Sequence, residues 1–197
     1  MTGQGALPPV GLVLAGGESS RLGRDKARLE GATLTLGAVE RLADVCAEVA
    51  VADRGRELVP GRPSLADGPG RGPVAGILGG AAGYPGRPLL VLACDLPKVP
   101  AGLLAELARS AAIDWVVPRW EDGLEPLCAF YGPATLAALA ERVREGRFAL
   151  HDLADGADLA VRYLEGEALR RFGEPGEMFF NLNTPGDLER WRAKKGT

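Results

Sequence analysis

The sequence predicts an α/β protein of three α/β/α layers on a mostly parallel sheet. Three observations carry this. Apolar runs of strand length alternate with segments of helical periodicity. Two of the runs, Val10 to Leu14 and Leu89 to Ala93, are apolar at nearly every position, as in strands buried on both faces. Each of these runs ends in glycines or an aspartate, where open parallel sheets place their ligands.

Taken in order, the first strand, Val10 to Leu14, opens into Ala15-Gly-Gly-Glu-Ser-Ser-Arg-Leu-Gly-Arg-Asp-Lys26. Apolar residues at 34, 36, 39, 42, 45 and 46 predict a helix over Leu34 to Cys46. A short strand follows at Val49 to Ala52. A polar, Pro/Gly-punctuated stretch then runs from Arg54 to Ala66, with a strand at its end. Asp67-Gly-Pro-Gly-Arg-Gly-Pro73 is a loop that opens a small-sided helix, Pro73 to Ala82, with proline in its first turn. Leu89 to Ala93 is the clearest buried strand and ends at Cys94-Asp95-Leu-Pro97; a helix over Ala101 to Ala108 and a strand over Asp114 to Pro118 come next. The second half is less regular. It predicts a turn at Asp122-Gly123, a strand to Tyr131, a helix over Pro133 to Val143, a helical turn over Phe148 to Leu153 and a strand over Leu159 to Leu164. A last short strand is expected at Phe179 to Asn183, before a helix capped by Thr184. The alternation is Rossmann-like. At 197 residues it reads as one domain, residues 1 to 197, with a nucleotide-binding half at about 10–118 and an acceptor-binding half at about 119–190.

Bulk properties exclude several classes. A net charge of -3 opposes a nucleic-acid-coating role, which wants a basic face. No apolar run approaches the roughly 18 residues needed to span a bilayer, and the start lacks the basic and apolar regions of a secretory signal. Three isolated cysteines, Cys46, Cys94 and Cys128, fit a reducing cytoplasm rather than a disulfide framework or a zinc site. His151 is the sole histidine, so a multi-histidine metal centre is excluded.

The opening loop lacks both G-x-G-x-x-G and the Walker pattern, because Gly16 and Gly17 are adjacent and Lys26 is flanked by Asp25 and Ala27. Glycines still let backbone N–H groups approach an anion, and Arg21 and Lys26 bring charge. A tight turn with surface charges is the plainer reading, which the register of Arg21, Gly23 and Lys26 disfavours. Asp95 ends an apolar strand and suits a Mg²⁺ ligand beside a triphosphate. Capping the next helix is its alternative, weakened by Pro97 and Pro100. Asp67 is open between accepting from the N–H edge of guanine, binding a ribose hydroxyl, and holding its own turn. Asn181 and Asn183 are the only asparagines and lie two apart, on one face of a strand; turn formation before Thr184 is their other reading. Phe179 and Phe180 read as core, His151 as surface.

The set Leu14-Ala-Gly-Gly-x-Ser-x-Arg-Leu-Gly-x-Asp-Lys-Ala27, Asp67 with Gly72-Pro-Val-Ala-Gly76, Cys94-Asp-Leu-Pro97, Glu125-Pro-Leu-Cys-Ala-Phe-Tyr131 and Asn181-Leu-Asn-Thr-Pro185 resembles the signature of the bacterial molybdenum cofactor guanylyltransferases, the MobA family. The matches run in the family's order from residue 14 to 185. The resemblance implies a nucleotide-diphospho-sugar-transferase type of fold. It implies transfer of GMP from GTP to molybdopterin-bound molybdenum, with release of pyrophosphate. It implies that Leu14, Ala15, Gly16 and Gly17 contact the guanine nucleotide, Lys26 the phosphates, Asp67 the nucleoside and Asp95 a Mg²⁺ ion, and that Gly76, Asn181 and Asn183 face the pterin. Arg21 joins Lys26 and Asp95 as the catalytic set. Partners would be GTP, molybdopterin and apo-molybdoenzymes or other cofactor-biosynthesis proteins, with no nucleic acid and no membrane. Two departures are visible. The place after the second strand, where family members can carry a nucleotide-contacting asparagine, holds Ala52 and Asp53, and Leu22 replaces a family methionine. Rival readings are a molybdopterin cytidylyltransferase, whose first motif resembles Leu-Ala-Ala-Gly, a sugar-phosphate nucleotidyltransferase, and a non-catalytic cofactor carrier.

Overall fold

Branched aliphatic runs too short for helices pair side by side here. The computed structural model describes residues 7–16, 24–109, 113–121, 123–155 and 158–182, with the backbone alone for 24–31. Its elements are β1 (Val10–Leu14), α1 (Arg24–Ala43), β2 (Val49–Ala52), β3 (Ser64–Leu65), α2 (Pro73–Gly83), β4 (Leu89–Ala93), α3 (Ala101–Ala108), β5 (Trp115–Trp120), β6 (Gly123–Leu124), β7 (Cys128–Tyr131), α4 (Pro133–Arg144), β8 (Val161–Leu164), α5 (Gly166–Arg170) and α6 (Pro175–Met178).

The sheet runs β3-β2-β1-β4-β7-β5-β6, with β8 alongside β5. Strands β1, β2, β3 and β4 are mutually parallel, as are β5 and β8. Strand β7 runs antiparallel to both β4 and β5 and so sits between two parallel blocks. Register brings the key ends level: Leu14 lies opposite Ala52 on one side and Ala93 on the other, and Ala52 lies opposite Leu65. The chain leaves the sheet at one height towards Ala15-Gly16, Asp53, Asp67 and Asp95.

Alternation sends neighbouring residues to opposite faces. Val13, Val51, Leu90 and Leu92 meet Val39 and Leu42 of α1 and Leu103, Leu104 and Leu107 of α3. Leu12, Ala50, Ala52, Leu89 and Val91 meet Val74, Ile77 and Leu78 of α2 and Leu136 and Leu139 of α4. This is the three-layer arrangement, with each fully buried Leu or Val supplying about 1.5–3 kcal/mol.

Helix α2 approaches the sheet more closely than side chains normally permit, because its inner face is glycine. A Cβ on Gly79 would lie 2.2 Å from the Ala66 carbonyl oxygen, and one on Gly68 would lie 2.7 Å from the Gly79 nitrogen. Two backbones are thus in contact, locked by a 2.8 Å bond from the Gly68 N–H to the Ala75 carbonyl. Gly72 precedes the helix at φ +59°, open to glycine alone at little strain, and Pro73 takes the first turn.

Four local expectations change. Helix α1 starts at Arg24, ten residues before Leu34, since its first turns carry charged residues with no apolar stripe. The helical turn expected over Phe148 to Leu153 is confined to Leu150–Leu153, where the Leu153 N–H donates to the Leu150 carbonyl at 3.2 Å. The strand at Leu159 shortens to Val161–Leu164. The expected strand at Phe179 pairs with nothing through residue 182: α6 delivers Phe179 to the core, and the Leu182 N–H donates to the Asp95 carbonyl at 3.0 Å. The helix expected after Thr184 lies outside the described residues.

Candidate active site

The described part of the site is built where β1, β2, β3 and β4 end. Ala15 is held in the sheet edge by its N–H on the Ala52 carbonyl at 3.0 Å, and the Leu14 carbonyl accepts from the Cys94 N–H at 3.1 Å. The opening loop and the Asp95 loop therefore leave as hydrogen-bonded neighbours. Gly16 is the last described residue of its loop; Gly17 and Arg21 lie outside the described residues, as does Asn183, and Lys26 falls in the first turn of α1, where the backbone alone is described.

A second layer braces this edge. Arg56 donates from Nη2 to the Ala15 carbonyl and from Nε to the Asp53 carbonyl at 2.7 Å. Asp53 is fully buried and accepts from the Leu58 N–H at 2.8 Å and from the Ser64 hydroxyl. Its carboxylate is spent on its own loop, and Ala52 lies buried against Gly76. The position after β2 thus braces the loops. Arg41 straps the far side: its Nη1 donates to the Leu96 carbonyl at 2.7 Å and the Val99 carbonyl at 3.2 Å, fixing the turn after Asp95 to α1.

Asp67 accepts at Oδ2 from Arg54 Nε at 3.0 Å. Arg54 holds a left-handed φ of +62° to do so, and its Nε lies 3.6 Å from where a Gly16 Cβ would stand. The pair closes over the start of the opening loop. Strain at a non-glycine residue beside a ligand loop is a common mark of function. Gly76 faces the sheet, where a Cβ would meet Leu14 at 3.1 Å. Asn181 is exposed between Phe180 and Leu182, and the Leu182–Asp95 bond brings it to the Asp95 loop. Phe179 is core, as expected; Phe180 is 40 % exposed with the Lys98 ammonium 5.4 Å above its ring.

Asp95 is the electrostatic centre. Its Oδ1 is buried with no hydrogen-bond partner among the described residues. Burial raises its carboxyl above the usual carboxylate range, opposed by a backbone hydrogen bond. An unpartnered buried carboxylate oxygen is costly unless a cation meets it, so this residue fits a divalent metal beside a triphosphate. The sulfur groups do not compete as nucleophiles, because burial lifts the Cys46 and Cys94 thiols to about 11.

Glu125, in the turn before β7, was not singled out from the sequence as a site residue. Burial raises its carboxyl to about 7, the nearby Asp95 charge adds to this, and the Leu127 N–H opposes it. The Tyr131 hydroxyl donates to the Pro126 carbonyl at 2.8 Å and pins this turn. The folded state therefore holds a proton on Glu125 that the unfolded chain has lost above its ordinary 4.5. The stability this group contributes is full below that value and falls as pH rises through about 7. In metal-free buffer Glu125→Gln gains stability over wild type between pH 5 and pH 8, by about 3 kcal/mol at the top of that window. Urea unfolding at the two pH values checks this.

Such a sheet edge, with a glycine-rich turn, an orphaned carboxylate and converging loops, defines an α/β nucleotidyltransferase. The chain belongs to the family of MobA-like NTP transferase domains, whose family model matches residues 11–157. It is 34% identical over 199 residues to the probable molybdenum cofactor guanylyltransferase of Pelotomaculum thermopropionicum, covering 95% of this chain and 93% of that protein. It is 37% identical over 194 residues to a protein of the same description from Opitutus terrae, at 93% and 95% coverage. Among solved structures it is similar to molybdopterin-guanine dinucleotide biosynthesis protein A of Archaeoglobus fulgidus, with a TM-score of 0.75 and 26% identity over 95% of this chain and 98% of that one. No helix among the described residues is long and apolar enough to cross a membrane.

Proposed function

We propose that the protein transfers GMP from GTP to the molybdenum–molybdopterin cofactor, forming molybdopterin guanine dinucleotide and pyrophosphate in the cytoplasm. The observation that carries this reading is Asp95 at the end of β4, whose buried Oδ1 has no hydrogen-bond partner among the described residues and whose backbone carbonyl accepts from the segment bearing Asn181. The relatives' description as probable molybdenum cofactor guanylyltransferases supports the choice of guanine, and the name of the similar Archaeoglobus fulgidus structure supports molybdopterin.

The nucleotide occupies the 10–118 half. Backbone groups from Leu14 to Gly17 receive it, Arg21 and Lys26 meet its phosphates, and Asp67 offers the oxygen that Arg54 leaves to the nucleoside. Asp95 holds Mg²⁺, which when bound offsets charge on the α-phosphate and the departing pyrophosphate. Asn181 and Asn183 hold the acceptor from the 119–190 half, while Gly76, expected beside the pterin, packs α2 against Leu14 and Ala52 of the sheet. The acceptor's phosphate is already ionised at neutral pH and attacks in line, so alignment and charge neutralisation suffice without a general base.

The test is to supply molybdopterin and Mg²⁺ with each nucleoside triphosphate in turn and measure pyrophosphate. GTP is expected to outperform CTP by about 100-fold or more, since a site that hydrogen-bonds one base edge leaves polar groups unpaired with another. Preference for CTP overturns the guanine assignment in favour of the cytidylyltransferase reading. Absence of turnover with every triphosphate supports the carrier reading.

A further inference from the structure

Strand β5 and strand β4 both run antiparallel to β7, so they are parallel to each other, and their carboxyl ends share one edge. Register puts them level: Trp115 and Leu89 both pair with Tyr131, so Arg119 stands at the height of Ala93 and Trp120 at that of Cys94. One strand lies between, a separation of about 10 Å along the edge. A cleft of about 540 Å³ opens there, lined by Arg119, Trp120, Glu165, Leu169, Arg170 and Pro175.

Its chemistry differs from that of a phosphate site. Arg119 is bonded at Nε to Glu165 and lies 4.1 Å over the Tyr163 ring. Arg170 pairs with Glu174 at 2.9 Å and Glu121 at 3.4 Å. Both guanidinium groups are already matched by carboxylates, so the rim is charge-balanced and no uncompensated cation awaits an anion. What remains is an apolar floor of Trp120, Leu169 and Pro175 beneath a rim of fixed donors and acceptors. That combination selects a neutral, flat, polar-edged ring system. The Trp120 indole also touches Phe179, with ring centroids 6.1 Å apart, and three residues later the Leu182 N–H binds the Asp95 carbonyl. The cleft is thereby joined by one short segment to the place where the acceptor's phosphate must react.

Resting on the proposed guanylyl transfer, we propose that this cleft is the subsite for the acceptor's pterin ring. Trp120 supports the ring face and Glu165 accepts from the amino and N–H groups of its pyrimidinone edge. A carboxylate already bonded to one arginine keeps lone pairs for this. The acceptor's phosphate then reaches about 10 Å back to Asp95.

The test uses the full chain with 6-hydroxymethylpterin, followed by pterin fluorescence, and separately the transfer assay with molybdopterin. Glu165→Gln alters an exposed side chain, and Trp120→Phe keeps an aromatic ring against Phe179, so neither threatens the fold. Each is expected to weaken pterin binding about tenfold and to raise the KM for molybdopterin by a similar factor, while the KM for GTP moves less than twofold. Unchanged pterin binding and acceptor KM in both variants overturn the subsite, even where transfer itself proceeds. Displacement of the pterin by GTP overturns it also. Pterin binding that both variants weaken, in a protein that transfers no nucleotide, supports the subsite and retires the guanylyl-transfer reading instead.

Discussion

Asp95→Asn lowers guanylyl transfer by about 10³-fold or more, equivalent to ~4 kcal/mol of transition-state stabilisation, and leaves the protein folded. Both halves of this result follow from the same atom. Oδ1 is buried and has no hydrogen-bond partner among the described residues, so replacing the carboxylate removes a desolvation cost and breaks no bond with any of them. The main-chain link to Leu182 is untouched, because it uses the backbone carbonyl. An amide, however, binds Mg²⁺ poorly. Circular dichroism, thermal midpoint and pyrophosphate release measured on one preparation check the prediction. A structural aspartate gives the opposite pattern, a lowered midpoint with activity largely kept, and that pattern would falsify the metal role.

Gly79→Ala destabilises the fold by about 3 kcal/mol, against the sign that helix propensity alone gives. In an open helix the change gains up to about 1 kcal/mol. Here the new methyl stands 2.2 Å from the Ala66 carbonyl oxygen, which is backbone and cannot swing aside. Either α2 lifts from the sheet or the loop carrying Asp67 moves, and each loosens the nucleoside end of the site. A fall in thermal midpoint of roughly 10 °C is expected for a chain of this size, with a raised KM for GTP. Gly37→Ala is the internal control. It lies in α1 with nothing within 4 Å of the added carbon, and should stabilise slightly.

The parts of this structure legible in the sequence are those whose cause is local. Val10–Leu14 and Leu89–Ala93 are read as buried strands because both faces are covered, and Pro73 opens its helix because its ring fits the first turn. Asp95 stands out because a carboxylate ends an apolar strand. What was not legible depends on partners far along the chain. The first ten residues of α1 have no apolar stripe to announce them. Phe179 is apolar because Trp120 covers it, so its neighbourhood mimics a strand that never pairs. Arg54 and Glu125 gain their meaning from Asp67 and Asp95, which are 13 and 30 positions away. A glutamate at the mouth of an apolar strand, as at Glu125-Pro-Leu-Cys-Ala-Phe-Tyr131, is the signal that would have found the second carboxylate.

The reversed strand β7 also sets the order in which this chain can fold. Strand β1 finds one neighbour in β4, with Val10 opposite Leu89, and β4 finds its other neighbour in β7, with Leu90 opposite Phe130. Strand β1 has both its neighbours, β2 and β4, by residue 93, but β4 is not covered on both edges until residue 131 has been synthesised. Closing such distant pairings costs loop entropy before any contact repays it, so folding should be slow for the protein's size. During synthesis the apolar edge of β4 stays open for about forty residues, at roughly 5–20 residues per second. That interval of seconds is when the nascent chain most needs a chaperone.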